Sequence, residues 1–335
     1  MVTISLCMIV KNEEKVLRRC LSSIKNLMDE IIIVDTGSSD KTKEIAGEFT
    51  DKIYDFTWIG DFSAARNFAF SKATCEYIYS ADADEVLEGE NIEKFAALKQ
   101  ALNPEIELVQ MYYGNQLSLG GVYNYDRELR PKLFKRVRSF TWVDPVHEVV
   151  RTLPVVFDSD IEITHKPLEG HHGRDLSIFE QTVEKGEDLS PRLVNMYARE
   201  LFSLNSRDSF QRALPFFEAK ANHPEVDENL LKIALCVSAR AYYLDNHYEK
   251  MMKYCLKDVA QDPSSENCSL LGQYYYERQD YEEAVLWFFN AAYEQNSILN
   301  IQYEKEIPIR GLIACYRELQ MPDMVKHYEE ELAYE

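Results

Sequence analysis

No stretch of this sequence holds an apolar run of about 18 residues. The start, MVTISLCMIVKNEE, has neither a basic leader nor a small-residue cleavage site before charge appears at Lys11. A membrane span and a secretory leader are therefore not expected, and the expected location is the cytoplasm. Positive charge is scarce, with 37 Lys and Arg against 57 Asp and Glu and a formal net charge of −20. Bulk nucleic acid and anionic membrane surfaces call for a basic footprint, so no nucleic-acid partner is expected. The seven cysteines, at positions 7, 20, 75, 236, 255, 268 and 315, are scattered and show no C-x-x-C pair. That excludes a zinc or dithiol framework and reads as reduced, mostly buried thiols. A Gly-rich phosphate loop is missing after the first apolar run, which speaks against a nucleotidyltransferase.

What is present is a folded chain long enough for two compact units. Its 335 residues are 46% apolar and 28% charged, far from the composition of disorder. Residues 3–10 (TISLCMIV) form a short β-branched run without helical period, the mark of a buried strand. From Lys11 to Leu27 the apolar positions Val16, Leu17, Cys20, Leu21 and Ile24 recur at helical spacing. Then come a strand (EIIIVD), a loop (TGSSDKT), a helix (Thr42 to Phe49), a strand (Asp51 to Phe56), a helix (FSAARNFAFSKA) and a strand (YIYSADADE). This alternation predicts an α/β domain with parallel strands and helices on both faces, whose ligands sit beyond the carboxyl ends of the strands. Past Asn91, the runs LVQMYY, KLFKRV, TWVDPVHEVV, PVVFDS and IEITH predict an antiparallel extension. Residues 165–175 (HKPLEGHHGRD) read as a lid or linker.

From about residue 176 only helices are expected. The stretch AYYLDNHYEKMMKYCLKDVAQDP recurs in outline as QYYYERQDYEEAVLWFFNAAYEQN, with Tyr248 and Tyr281 in register 33 residues apart. A weaker unit aligns through Phe210, and a diverged one (LIACYRELQMPDMVKHYEEEL) closes the chain. These resemble tetratricopeptide repeats. The expected domains are thus 1–175 and 176–335. The second serves either as a scaffold or homodimer surface, or as a groove presenting a polypeptide.

Asp82-Ala83-Asp84, at the end of an apolar strand, carries the chemistry. Two carboxylates two residues apart in an extended chain point the same way and can converge on one hard cation. Mg²⁺ or Mn²⁺ prefers one or two carboxylates together with phosphate oxygens, so a nucleotide diphosphate would complete such a shell. The plainer reading is a helix N-cap with Glu85 in the first turn.

Read in order, SLCMIVKNEE, IIIVDTGSSDKT, DFSAARNFA and SADADE resemble the family 2 glycosyltransferases of GT-A fold, closely over residues 3–90 and more loosely to about 170. With the repeat-bearing tail, they look like bacterial transferases that glycosylate polypeptides, including peptide S-glycosyltransferases and flagellin glycosyltransferases. The resemblance implies a UDP-sugar donor and a nucleoside pocket lined by the main chain at Val10 and by Asn12 and Glu13. Asp35 would accept from the base, and Arg66 would reach the base or diphosphate. Asp82 and Ala83 would face the ribose, while Asp84 would bind Mn²⁺ or Mg²⁺. Turn closure is the plainer role for Asp35, and an ion pair with Asp61 the plainer one for Arg66. His165 is the chosen further metal ligand, with His147, His171 and His172 as rivals. The general base is sought in WVDPVHEVV, with Glu148 ahead of Asp144 and His147. The expected function is metal-dependent, inverting transfer of a hexose or N-acetylhexosamine to Ser, Thr or Cys of a polypeptide. Transfer to a cell-surface glycan or lipopolysaccharide core, and a non-enzymatic interaction protein, are the alternatives. The basic run RELRPKLFKRVR (127–138) either contacts phosphate or protects an edge strand.

Overall fold

The structure, a computed structural model, describes residues 1–114, 127–150, 154–166 and 173–333. The chain divides into two compact units, Met1–His171 and His172–Glu335. In the first, β1 (Ile4–Val10) is buried along its length apart from a partly covered Ile9. Parallel strands flank it, with β2 (Glu30–Asp35) on one side and β4 (Tyr77–Ser80) on the other, and β3 (Ile53–Asp55) extends the sheet beyond β2. Side chains of a strand alternate between faces, so β1 serves two cores. Ile4, Leu6, Met8 and Val10 pack with Leu17 and Leu21 of α1 (Leu17–Ile24) and Ile45 of α2 (Thr42–Gly47). Cys7 packs on the other side with Ala69 and Phe70 of α3 (Phe62–Lys72).

The sheet continues through β5 (Glu85–Val86), β6 (Leu108–Gly114), β7 (Glu128–Lys135) and β10 (Val156–His165), in the order β3-β2-β1-β4-β7-β6-β10-β5. β7 runs antiparallel to both β4 and β6, so the sheet is mixed, as expected. A separate hairpin joins β8 (Trp142–Val143) to β9 (Val149–Val150).

Four local expectations change. The first helix begins at Leu17, because the N–H groups of Asn12, Glu13 and Glu14 bond to the loop after β2 instead of opening a helix. Residues 90–101 form a helix, α4 (Glu90–Ala101), where only Phe95 and Lys99 are buried, so the sequence carries little helical stripe. PVVFDS and IEITH join into β10, whose pairing with β6 shifts register between Asp158 and Glu162. The basic run lies on β7, an interior strand, which overturns edge protection. Four of its six positive charges meet carboxylates, Lys132 buried Glu85, Arg127 Glu162 at 3.1 Å, Arg130 Glu128 at 2.5 Å and Arg138 Glu107 at 2.7 Å, while Lys135 and Arg136 donate to the Pro104 and Cys75 carbonyls.

Glu30, 8% exposed at the start of β2, ties three segments together. It accepts from the Ser5 hydroxyl, from Thr74 through N–H and hydroxyl (both 2.9 Å), and from Lys52 Nζ at 2.5 Å. Burial would raise its pKa, but these donors, Lys52 foremost, outweigh it and bring the carboxyl to about 2. A carboxyl lowered on folding stabilises fully above its ordinary value and loses that contribution as pH falls through the folded value. Glu30→Gln should therefore lower stability at pH 7 by about 2 kcal/mol in urea unfolding, and the deficit should shrink as the pH is taken from 5 towards 2.

The second unit is helical: α5 (Arg174–Glu184), α6 (Pro191–Leu204), α7 (Arg207–Ala221), α8 (Glu228–Leu244), α9 (Tyr248–Val259), α10 (Ser265–Glu277), α11 (Tyr281–Phe289), α12 (Glu306–Glu318) and α13 (Pro322–Ala333). Tyr248 and Tyr281 each open the second helix of a pair, which is the structural meaning of the 33-residue register. The tail is tetratricopeptide-like. Phe288 of α11 lies against two glycines: a Cβ at Gly272 of α10 would come within 2.8 Å of its ring and one at Gly311 of α12 within 2.6 Å. These glycines let α10 and α12 close over the ring. No described helix is long and apolar enough to cross a membrane.

Candidate active site

Three strands end together. After β1, the chain turns through Asn12 at φ 57°, a left-handed conformation that Asn tolerates. Its side-chain oxygen accepts from Ser39 N–H at 2.8 Å, and its own N–H donates to Ser38 Oγ at 2.9 Å. Glu13 N–H donates to Thr42 Oγ1 at 2.7 Å, and the Val10 carbonyl accepts from Thr36 N–H (2.9 Å) and Oγ1 (3.1 Å). Val10 and Asn12 thus latch the loops after β1 and β2 to each other. Asp35 ends β2 with 2% of its surface exposed. Its Oδ2 accepts from Gly37 N–H at 3.1 Å and Ser38 N–H at 3.0 Å, closing a turn that Gly37 completes at φ 105°. Its Oδ1 is buried and takes no hydrogen bond among the described residues. Turn closure therefore uses one oxygen and leaves an acceptor over.

The third strand, β4, ends at Ser80, and the acidic triplet lies beyond it in a turn where Glu85 N–H donates to the Asp82 carbonyl at 3.2 Å. The triplet is not extended, and Glu85 enters β5 instead of a helix, so neither geometry expected of it holds. Ala83 is buried between carboxylates with different partners.

Asp82 pairs with Arg66. Asp61 caps α3, accepting from Ala64 N–H at 3.1 Å, and leaves Arg66 to turn inward. The guanidinium donates through Nη2 to Asp82 at 2.8 Å, through Nη1 to Ser80 Oγ at 3.2 Å and through Nε to Glu148, and it lies over the Trp142 ring at 5.1 Å. Arg66 and Glu148 side chains are only 12% and 11% exposed. Burial acts to raise the Asp82 pKa, yet the guanidinium outweighs it and holds the carboxyl below its ordinary value.

The neighbouring Asn67 explains why Glu148 is within reach. Its side chain donates to the Trp142 carbonyl at 2.9 Å and accepts from Trp142 N–H at 2.8 Å, while Phe62 N–H donates to the Pro145 carbonyl at 2.9 Å. Helix α3 therefore carries the WVDPVHE segment. Within it, Asp144 and His147 adopt left-handed φ of 76° and 47°, stored strain of the kind that gathers at functional sites. Ser80, Asn67 and Trp142 were not singled out from the sequence, although Asn67 stands beside Arg66 in the Ala-Arg-Asn motif.

Asp84 faces the other way. Its Oδ2 lies 3.0 Å from His165 Nε2, at the end of β10, with the imidazole against the Tyr113 ring. The short β5 makes this meeting possible, because Glu85 pairs directly opposite His165 and Lys166 N–H donates to the Asp84 carbonyl at 2.9 Å. Beneath it, Glu85 and Lys132 form an ion pair with 2% and 7% of their side chains exposed. Burial raises Glu85 to about 7 despite Lys132. Their pairing was not foreseen, since 47 residues separate them. Two cis ligands of an octahedral cation at about 2.1 Å stand about 3 Å apart, so the Asp84 oxygen and the His165 nitrogen fit adjacent positions on Mg²⁺ or Mn²⁺. His171 and His172, rivals to His165, lie outside the described residues.

A mixed sheet ending in loops that gather Asp35, Asp82 and Asp84 defines an α/β domain of the GT-A class. Residues 5–163 match the family model described as Glycosyl transferase family 2. The match takes in nearly the whole N-terminal unit, which is similar to that family. Among curated proteins, a TPR repeat-containing protein of Synechococcus elongatus is 39% identical over 150 residues, 45% of this chain and 36% of its own. The glycosyltransferase SunS of Bacillus phage SPbeta is 29% identical over 235 residues, 66% of this chain and 54% of its own. The match thus spans about a third to a half of these relatives. Among solved structures, glucosyl-3-phosphoglycerate synthase from Mycobacterium tuberculosis in complex with Mg²⁺ and uridine diphosphate aligns at 14% identity and a TM-score of 0.39, over 56% of this chain and 81% of that one.

Proposed function

We propose that this chain is a metal-dependent, inverting glycosyltransferase that moves a hexose or N-acetylhexosamine from a UDP-sugar to Ser, Thr or Cys of a polypeptide. In this reading residues 1–175 are catalytic and 176–335 serve the acceptor. The carrying observation is the convergence of Asp84 with His165 at 3.0 Å beside the Arg66–Asp82–Glu148 network. The buried Oδ1 of Asp35 supports a uracil base, whose N3–H is a donor seeking such an acceptor. Asn12 and Glu13 line the same strand ends.

Asp84 and His165 would hold Mg²⁺ or Mn²⁺, which supplies charge stabilisation to the leaving diphosphate. Asp82, oriented by Arg66, faces the ribose. Glu148 is the base: Arg66 fixes Oε1, while Oε2 has no hydrogen bond among the described residues and is the atom that takes the acceptor proton. Asp144 and His147 shape the loop that carries it.

The test is a panel of UDP- and GDP-sugars with Mn²⁺ or Mg²⁺ and capped peptides containing Ser, Thr or Cys, read as nucleotide diphosphate release and peptide mass. A UDP-sugar should give metal-dependent release and a mass gain of one sugar. Release without metal, or none with any donor, would overturn this reading, the latter in favour of an interaction protein.

A further inference from the structure

Asp84 meets His165 where β5, a strand of two residues, pairs with β10 at two positions, Thr164 with Val86 and His165 with Glu85. So short a strand holds little register of its own, and a slip of one residue would turn its side chains to the opposite face, Asp84 with them. A second tie holds it. The Glu85 carboxylate turns into the core and pairs with Lys132 Nζ of β7, both side chains buried. β6 and β10 stand between β7 and β5 in the sheet, so this ion pair joins strands that share no backbone ladder. The same ammonium lies 5.2 Å from the ring centroid of Tyr113 on β6, and that ring packs on the His165 imidazole, also at 5.2 Å. Lys132 therefore touches the residue beside one proposed ligand and the ring behind the other. Stability alone does not account for the pair. Both charges are taken out of water, and Glu85 Oε2 has no hydrogen bond among the described residues. Desolvation of that kind offsets much of the attraction, and what such a pair supplies is placement.

We propose that Lys132 is a positioning residue for the cation: through Glu85 it sets the register of β5 on β10, and through Tyr113 the seat of the imidazole, so that the Asp84 oxygen and the His165 nitrogen stand 3.0 Å apart. The proposal rests on the metal reading for what these two side chains hold. Its sign makes the role testable. A positive charge near a cation site repels the cation, so removing an ammonium that acted through charge alone would tighten metal binding. Removing one that holds the ligands in place weakens it.

The experiment uses the full chain without donor, with Mn²⁺ as the probe and electron paramagnetic resonance as the readout. Lys132→Met should bind Mn²⁺ about ten- to a hundredfold more weakly, the effect typical of losing an outer partner that orients metal ligands. Lys132→Arg keeps a cation for Glu85 and should lose less. Because Met leaves Glu85 buried without its cation, the companion variant is Lys132→Met with Glu85→Gln, which removes one charge of each sign. Its urea midpoint should return towards the parent's while its Mn²⁺ affinity stays low, a separation that a merely structural pair would not show. A readout without metal accompanies these. The Lys166 N–H, bonded to the Asp84 carbonyl at 2.9 Å, should exchange with deuterium faster in the double variant than in the parent. Mn²⁺ bound equally by parent and double variant, or more tightly by the variant, would overturn this role of Lys132 and leave Asp84 and His165 as ligands. A parent that binds no Mn²⁺ overturns the metal reading and this role together.

Discussion

Asp84→Asn should cut kcat/KM about a hundred- to a thousandfold, the range seen when one preorganised electrostatic contact to the transition state is removed, while leaving the thermal unfolding midpoint within a few degrees of the parent. The two halves of this expectation have separate causes. Asn matches Asp in volume and can still hydrogen-bond His165, and the Asp84 carbonyl stays tied to Lys166 N–H at 2.9 Å, so the turn survives. What disappears is the negative charge beside the imidazole. A hard cation prefers carboxylate over amide oxygen, so Mn²⁺ affinity, measured by electron paramagnetic resonance on protein without donor, should fall at least about tenfold. That readout does not depend on turnover. Unchanged Mn²⁺ binding would remove Asp84 from the metal site, whatever happened to activity. Asp82→Asn should behave differently: Asp82 is committed to Arg66 at 2.8 Å, so activity should fall with much less change in Mn²⁺ affinity.

The contrast between these aspartates marks where sequence reading ends. The strand-end motifs were legible because buried parallel strands are continuous apolar runs and their polar ends stand out, and the tail because Tyr248 and Tyr281 repeat in helical context. The partners of Asp82 and Asp84 are another matter: His165 is named beside Asp84 only through the family resemblance, and the pairing of Arg66 with Asp82 and Glu148 is not expected. His165 is 81 residues from Asp84 and Glu148 is 82 from Arg66, distances that the sheet order closes and that no local pattern encodes. The same holds for α4, whose buried Lys99 reaches the Leu27 carbonyl at 2.8 Å and Asp29 at 2.7 Å. A lysine at a core position hides the apolar stripe. On β7, Lys132, which reads as part of a solvated edge, is interior because Glu85 arrives from another segment to meet it.

Arg66 is where stability and chemistry are joined, and Arg66→Met tests both. The substitution leaves Glu148, 11% exposed, as a buried carboxylate without its cation, and breaking such a pair costs about 3–5 kcal/mol. Asp82, 39% exposed, is better screened and adds less. Urea unfolding at pH 7 should show this loss, and transfer should fall to background because Glu148 and Asp82 lose their orientation together. Lys cannot substitute, since one ammonium cannot span Glu148, Ser80 and Asp82 as a planar fork does. The pH dependence gives a sharper check. In the parent, Asp82 is lowered by Arg66, so its contribution is present above about pH 4 and lost on acidification. In Arg66→Met the largest lowering influence on Asp82 is gone and only Lys132 still acts that way, so its carboxyl rises from its value in the parent. A raised carboxyl favours folding at lower pH, so the gap between parent and variant should narrow as pH falls from 7 to 4. Adding Glu148→Gln to Arg66→Met should recover 1 kcal/mol or more, because the stranded charge leaves with it. A double variant no more stable than the single one would mean that Glu148 escapes to solvent, and that Arg66 does not hold it in place.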